Sequence, residues 1–263
     1  MTDAISEAQW LALQKALSTD RLDSYGQSSD PSHDSAVARY LWNAALCESL
    51  YPMLHCVEVS LRNRLDTALC RRFGAGWLDN TTVLQFGELA RIDEARQKLA
   101  KRGNHSPAHA NIVAELNLGF WVGLFTRPYE RHDRLWPVLA VPVMSGAPRS
   151  ERTRGVWWSR LDEIRNLRNR AFHYESLWHW VDLDDQHDRL CELLTWLSPE
   201  VAALVATVSR FPAVKSRGFD AYEGLLQGAF ICPVHNAACR HMSGSQCPSA
   251  TTSSVATPRN RVD

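Results

Sequence analysis

The sequence predicts an all-α protein, and three observations carry that reading. Apolar residues recur at the three-to-four-residue spacing of a helix along nearly the whole chain. No run alternates as a half-buried strand would. Capping residues and helix breakers punctuate the periodic stretches where helices should begin and end. The 263 residues, 45% of them apolar and ten of them tryptophan, suffice for a substantial core in one large domain or two small ones.

Taken in order, "SEAQWLALQKAL" predicts a first amphipathic helix over about Ser6–Thr19, followed by the polar loop "DSYGQSSDPSHDS". Asp34 or Ser35 is placed to cap a long helical region reaching about Phe73. Its apolar stripe is Tyr40, Ala44, Cys47, Leu50, Leu54, Val57, Leu61, Leu65 and Leu69. Pro52, which lacks an amide hydrogen, is expected to kink this region or to start a second helix. The glycines of "FGAGW" end it. A helix follows over about Phe86–Arg102 and stops at Gly103. "SPAHANIVAELNLGFWVGLF" reads as the next, with Ser106 as cap and Pro107 at the first helical position. Tyr129–Val141 predicts a short helix between prolines, and "MSGAPRSERTRG" a loop. A helix starting near Ser150 or Thr153 runs to about His173. "DLDDQHDRLCELLTWL" places acids at a helix N-terminus, where the dipole favours them, and Pro199 opens one more helix. After Phe211 the pattern weakens, and from Pro233 Ser, Thr, Pro and Asn dominate, which predicts a disordered tail. The expected organisation is an N-terminal helix and loop (1–30), a main helical domain (31–210) and a C-terminal extension (211–263), largely disordered from about 233.

Lys+Arg and Asp+Glu balance at 29 each, so no field covering the whole molecule draws in nucleic acid, and a basic site must be local. The N-terminus lacks a basic start followed by an apolar run, and Val201–Val208 is far too short to span a bilayer. A membrane partner is therefore not expected. Of seven cysteines, Cys47, Cys56, Cys70 and Cys191 lie inside helical patterns. They read as small apolar groups in a reducing, cytoplasmic protein without disulfides. Cys232, His235, Cys239, His241 and Cys247 in the tail have spacings that fit no zinc pattern, and no acidic cluster has metal-ligand spacing. Neither a metal nor another cofactor is expected.

The four letters LRNR occur twice, at Leu61–Arg64 and Leu167–Arg170, and only the second copy runs on into a histidine, "IRNLRNRAFHYESLW". At about 100° per residue, Arg165, Asn169 and His173 share one helix face, whereas Arg168 points about 140° from His173 but is long enough to bend round. An imidazole moves protons near neutral pH, and a guanidinium forks onto phosphate oxygens. Together they suit attack of an RNA 2′-hydroxyl on its adjacent phosphate, with histidine moving the proton and arginine stabilising charge in the transition state. Seven arginines against three acids between Arg149 and Arg170 give this stretch a local charge of about +4. Trp157 and Trp158 are either core or a face on which a base stacks.

"RNRAFH" matches the R-x-x-x-x-H signature of HEPN-superfamily ribonucleases, and "LRNRAFHYESLW" resembles the C-terminal motif of bacterial Abi-like (AbiD/AbiF-type) abortive-infection proteins. "YLWNAALCESLYPMLHCVEVSLRNRL" resembles that family's N-terminal motif, and "LNLGFWVGLF" its middle one, so ordered motifs cover about Tyr40–Trp196. Phe172 departs from the small residue common before the histidine. Glu175 stands where some toxins of the superfamily carry a modifiable tyrosine. The resemblance implies a HEPN-like helical bundle with additional N- and C-terminal helices. It also implies a homodimer in which facing R-x-x-x-x-H helices build a composite, metal-independent RNA-cleaving site for phage defence. Arg168 and His173 then carry over as the catalytic pair and Asn169 as their polar support. Arg165, Arg170, Glu175, Glu58, Arg62 and Asn63 would bind RNA or brace the cleft, with Glu58 and Arg62 paired on one face, the other reading of Glu58, Arg62 and Asn63 being a buried polar network that joins two helices. Asn43 and Glu48 are assigned structural roles. The RNA would come from host or phage, with control by an antitoxin or a phage trigger left open. The alternative is the same fold without chemistry, as an RNA-binding or protein-interaction module.

Overall fold

Capping chemistry sets most of the helix boundaries. Ser6 and Gln9 cap each other reciprocally, Ser6 Oγ accepting from the Gln9 amide at 3.4 Å and Gln9 Oε1 from the Ser6 amide at 2.8 Å, and α1 (Glu7–Leu17) follows. The computed structural model describes residues 4–27, 30, 32–130 and 135–226, together with the two-residue strands Ile231–Cys232 and Ala237–Ala238. The remaining described helices are α2 (Thr19–Asp23), α3 (His33–Phe73), α4 (Phe86–Lys101), α5 (His109–Glu115), α6 (Leu118–Gly123), α7 (Ala140–Met144), α8 (Arg154–Phe172), α9 (Leu183–Leu197), α10 (Pro199–Ala206), α11 (Phe211–Arg217) and α12 (Asp220–Leu226). The all-α architecture is as the periodicity predicts. The Cys/His-rich tail side chains lie outside the described residues.

Helix α3 is the axis of the fold. It runs unbroken for 41 residues, about 60 Å, with Pro52 inside it, so no second helix starts there. Leu50, Leu54, Val57, Leu61, Leu65 and Leu69 are buried along it as the stripe predicts. The stripe's first part is different: Ala44 is exposed and Tyr40 and Cys47 only half-buried, because Trp42, Asn43 and Leu46 face inward instead. Neither Asp34 nor Ser35 caps α3. Ser32 is its first flanking residue, and the Asp34 carboxylate instead accepts the amides of Ala4 (2.7 Å) and Ile5 (2.8 Å), tying the segment before α1 to α3.

Around α3 pack α2, α6, α7, α8, α9, α10, α11 and α12. Trp77, Trp121 and Trp157 are fully buried in the main core, with Trp157 stacked on Phe125 at 6.0 Å. A second apolar cluster of Ile5, Trp10, Leu22, Ala36, Val37, Ala38 and Leu226 joins the N-terminal helices to the start of α3 and the end of α12. Residues 211–226 therefore lie against the rest of the fold rather than apart from it, with Phe211 buried and the Ser35 hydroxyl bonded to Glu223.

Two predicted helices come out differently. "SPAHANIVAELNLGFWVGLF" splits into α5 and α6, because Asn117 Oδ1 accepts the Phe120 amide at 3.2 Å and starts a new helix inside the apolar run. Ser106 does not cap α5, which begins after Ala108. Between Tyr129 and Val141, a 3-10 turn ends at Tyr129 and α7 begins only at Ala140, with residues 131–134 outside the described part.

Candidate functional site

Helix α8 buries Trp157, Leu161, Ile164, Leu167 and Ala171 on one stripe, and Thr153 Oγ1 caps it by accepting the Val156 amide at 3.3 Å. That stripe fixes where the candidate side chains go. Arg165, Arg168 and Asn169 fall at its half-exposed border, and Arg170 and His173 are exposed. The helix closes in a Schellman arrangement: the His173 amide donates to Asn169 O at 2.9 Å and the Glu175 amide to Arg170 O at 3.0 Å. The left-handed residue this requires is Tyr174, at φ 59°, where glycine is usual. Arg21 Nη1 braces it from α2 by donating to Tyr174 O at 2.7 Å. Glu175 thus closes the helix end, and its carboxylate accepts from Arg170 Nη1 at 2.9 Å.

Asn43 on α3 anchors the chain just beyond. Its Oδ1 accepts the amides of Leu177 (2.6 Å) and Trp178 (3.1 Å), and its Nδ2 donates to Glu175 O (3.2 Å). This bears out the structural role assigned to it. Glu48 pairs with Arg210 at 2.6 Å on the surface.

The Arg168 side chain bends along the helix as its length allows, with Cζ 4.7 Å over the Phe172 ring. Its Nη1 reaches Asn169 Oδ1 at 3.5 Å, and its Nε faces Glu58 Oε2 at 3.8 Å, too long for a hydrogen bond. Arg168 and Asn169 line a groove of about 320 Å³ between α8, α4 and the segment 115–120. Arg91, Lys98, Arg165 and Arg168 bring four cations to its walls against the carboxylates of Glu94 and Glu115. Residues 116–120 of the second motif and Arg168–Asn169 of the third therefore line one groove, while Glu58 of the first approaches Arg168 without lining it. His173 does not line this groove. Its ring is exposed at the helix end, without a hydrogen-bond or ion-pair partner among the described residues.

Other expectations need correction. Glu58 faces Arg168 rather than Arg62, and Arg62 Nε instead donates to Asn63 Oδ1 at 3.4 Å. The arginines of the stretch Arg149–Arg170 do not all face one patch: Arg165 and Arg168 line the groove, whereas Arg152, Arg154, Arg160 and Arg170 are turned to separate partners. Arg160 pairs with Glu151 and Glu192, Arg165 with Asp162 at 2.5 Å, and Arg170 with Glu175. Arg152 and Arg154 donate to backbone carbonyls. The two tryptophans divide: Trp157 is core, whereas Trp158 is 40% exposed and offers a ring face.

On the other side of the α8 terminus lies a pocket of about 330 Å³, walled by Tyr25, Tyr40, Tyr51, Cys47, Phe172 and Tyr174. Burial pushes the Cys47 thiol up to about 11 and the Tyr25 phenol up to about 12, so both stay protonated at neutral pH. Tyr51, half-exposed and 5.6 Å from the Phe172 ring, was not singled out by the sequence because it lies off the apolar stripe. No helix among the described residues is long and apolar enough to cross a membrane. No protein-family model matches the chain, and no curated protein or solved structure matches it.

Proposed function

We propose that this chain is a metal-independent endoribonuclease of the abortive-infection type, working through Arg168 and His173 with Asn169 in support. The observation that carries the reading is that Arg168 and Asn169 share a groove with α4 and the segment 115–120, where four cations face two carboxylates, while Glu58 approaches Arg168 at 3.8 Å. Such a groove suits a phosphodiester backbone. The exposed His173 imidazole takes the proton from a ribose 2′-hydroxyl as the O2′–P bond forms and the P–O5′ bond breaks. The departing O5′ is protonated in turn, and the products are a 2′,3′-cyclic phosphate and a 5′-hydroxyl. Arg168 stabilises the charge that builds on the phosphoryl oxygens. The aromatic pocket beside Phe172 and Tyr174 supplies ring faces for a base.

A second copy of the chain completes the site. Tyr51, Phe172 and Tyr174 are large apolar groups exposed around the end of α8, in keeping with a face covered in a dimer. The reading of the same groove as an RNA-binding module without chemistry has one observation in its favour: within one protomer His173 stands outside the groove lining. Expression in bacterial cells of the wild type, Arg168→Ala and His173→Ala separates the two. The nuclease reading expects growth arrest and RNA fragments with cyclic-phosphate ends from the wild type alone. Identical behaviour of the three proteins would leave only the binding module.

A further inference from the structure

At the far end of α3 a second cluster of chemically reactive side chains has no part in the site above. Asp66 and Cys70 are one turn apart on α3, and His109 is the first residue of α5. Their ligand atoms all lie within 4.8 Å of one another. We propose that Asp66, Cys70 and His109 form a binding site for a Zn²⁺ ion, with a fourth position open to solvent. This inference does not rest on the nuclease reading.

The hydrogen bonds describe a cation site in its protonated form. His109 Nε2 lies 2.7 Å, Cys70 Sγ 3.6 Å and Trp77 Nε1 2.9 Å from the same oxygen, Asp66 Oδ1. A carboxylate only accepts, so the imidazole and thiol each turn a proton toward it. A divalent ion replaces those two protons. The thiol proton leaves to solvent, the imidazole proton moves to Nδ1, and the indole N–H of Trp77 goes on holding the carboxylate in place.

The spacings suit tetrahedral zinc. With metal–sulfur near 2.3 Å and metal–nitrogen or –oxygen near 2.05 Å, sulfur should lie about 3.6 Å from each lighter ligand and those two about 3.3 Å apart. Cys70 Sγ is 3.6 Å from Asp66 Oδ1 and 3.7 Å from His109 Nε2, so only the 2.7 Å oxygen–nitrogen contact must widen, by about 0.6 Å. A thiolate, an imidazole and a carboxylate together select zinc over magnesium or calcium, which take oxygen ligands. The ion has a way in: Asp66 and His109 side chains are 22% and 28% exposed, and His109 opens onto a pocket of about 480 Å³ that His105 and Asp79 also line. Bound there, zinc would clamp α5 to α3.

The test uses the full-length chain stripped with a chelator and titrated with Zn²⁺ alone by calorimetry, with Co²⁺ absorption as a second reading. The expected result is one ion per chain at this site and a thiolate-to-cobalt charge-transfer band. Cys70→Ser and His109→Ala should each weaken zinc binding at least about a hundredfold. Replacing Cys232, Cys239 and Cys247 by serine should leave both readings in place, which keeps the test decisive even where an α3 or α5 variant fails to fold. No binding, binding unchanged in Cys70→Ser and His109→Ala, or loss of the band in the tail variant would overturn the proposal.

Discussion

The side-chain oxygen of Asn43 accepts the backbone N–H of Leu177 at 2.6 Å, joining positions 134 apart in the chain. Through this bond and its companions to Trp178 and Glu175, the central helix holds the segment that follows the candidate catalytic histidine. Asn43 is 4% exposed and Leu177 fully buried, so water cannot replace the bond. Replacing Asn43 with alanine strands a buried amide and should cost about 3 kcal/mol. Urea denaturation measures the loss, and hydrogen exchange at Leu177 and Trp178 should accelerate more than at residues of α9. An unchanged midpoint would show that the anchor contributes nothing to stability.

Gly146 is required by contact rather than by φ. A Cβ built there would lie 2.0 Å from Trp196 O and 2.9 Å from its carbonyl carbon, which are backbone atoms of α9 and cannot swing aside. Gly146→Ala should therefore destabilise by about 2–3 kcal/mol. Gly155→Ala, with nothing within 4 Å of the new methyl group, should instead stabilise by about 0.5 kcal/mol. Paired thermal melts check the contrast, and equal effects would refute the close approach.

His187 sets a pH dependence. Its ring is stacked 4.2 Å from Phe211, and burial holds its pKa below the ordinary value of 6.5, against the opposing pull of Asp188 and Asp184. The folded state then binds fewer protons than the unfolded chain once the pH drops below about 6.5, so the His187 contribution to stability is lost as pH falls through that window. It levels off below the depressed folded value. His187→Phe should flatten this part of the stability profile, measured by denaturant titration from neutral to mildly acidic pH. An unchanged slope would place the histidine's titration elsewhere.

Helices with strong local signals could be read from the sequence. Gln9 facing Ser6, Thr153 before α8, acids opening α9 and proline opening α10 each declare a boundary within a few residues. Where tertiary contacts decide, the local pattern misleads. Asp34 looks like a cap but is claimed by Ala4 and Ile5. Pro52 looks like a break, yet the burial of Met53, Leu54 and Val57 against the core accompanies an uninterrupted helix. The placement of Arg168 and Asn169 on α8, with His173 at its end, was readable from helical spacing, but that His173 stands outside the groove the other two line was not. That Glu58 would face Arg168 and not Arg62 was not, because it depends on how α3 lies against α8. The same holds for the first LRNR. Its Arg64 spends its guanidinium on Leu197 O at 2.6 Å, Pro142 O at 3.1 Å and Ser145 Oγ at 2.8 Å, fastening α3 to the ends of α7 and α9. The Asp66–Cys70 pair is visible at helical spacing, but His109 reaches it only through the fold.

The most direct measurement of the central claim is cleavage, by the purified protein in excess chelator, of an RNA oligonucleotide and of its counterpart with a 2′-deoxyribose at the cut position. The RNA should be cut to a 2′,3′-cyclic phosphate and the deoxy counterpart should stay whole. His173→Ala, a surface change that should leave the fold intact, should slow cutting by about a hundredfold or more. Cutting of both oligonucleotides, or full activity in His173→Ala, would contradict it.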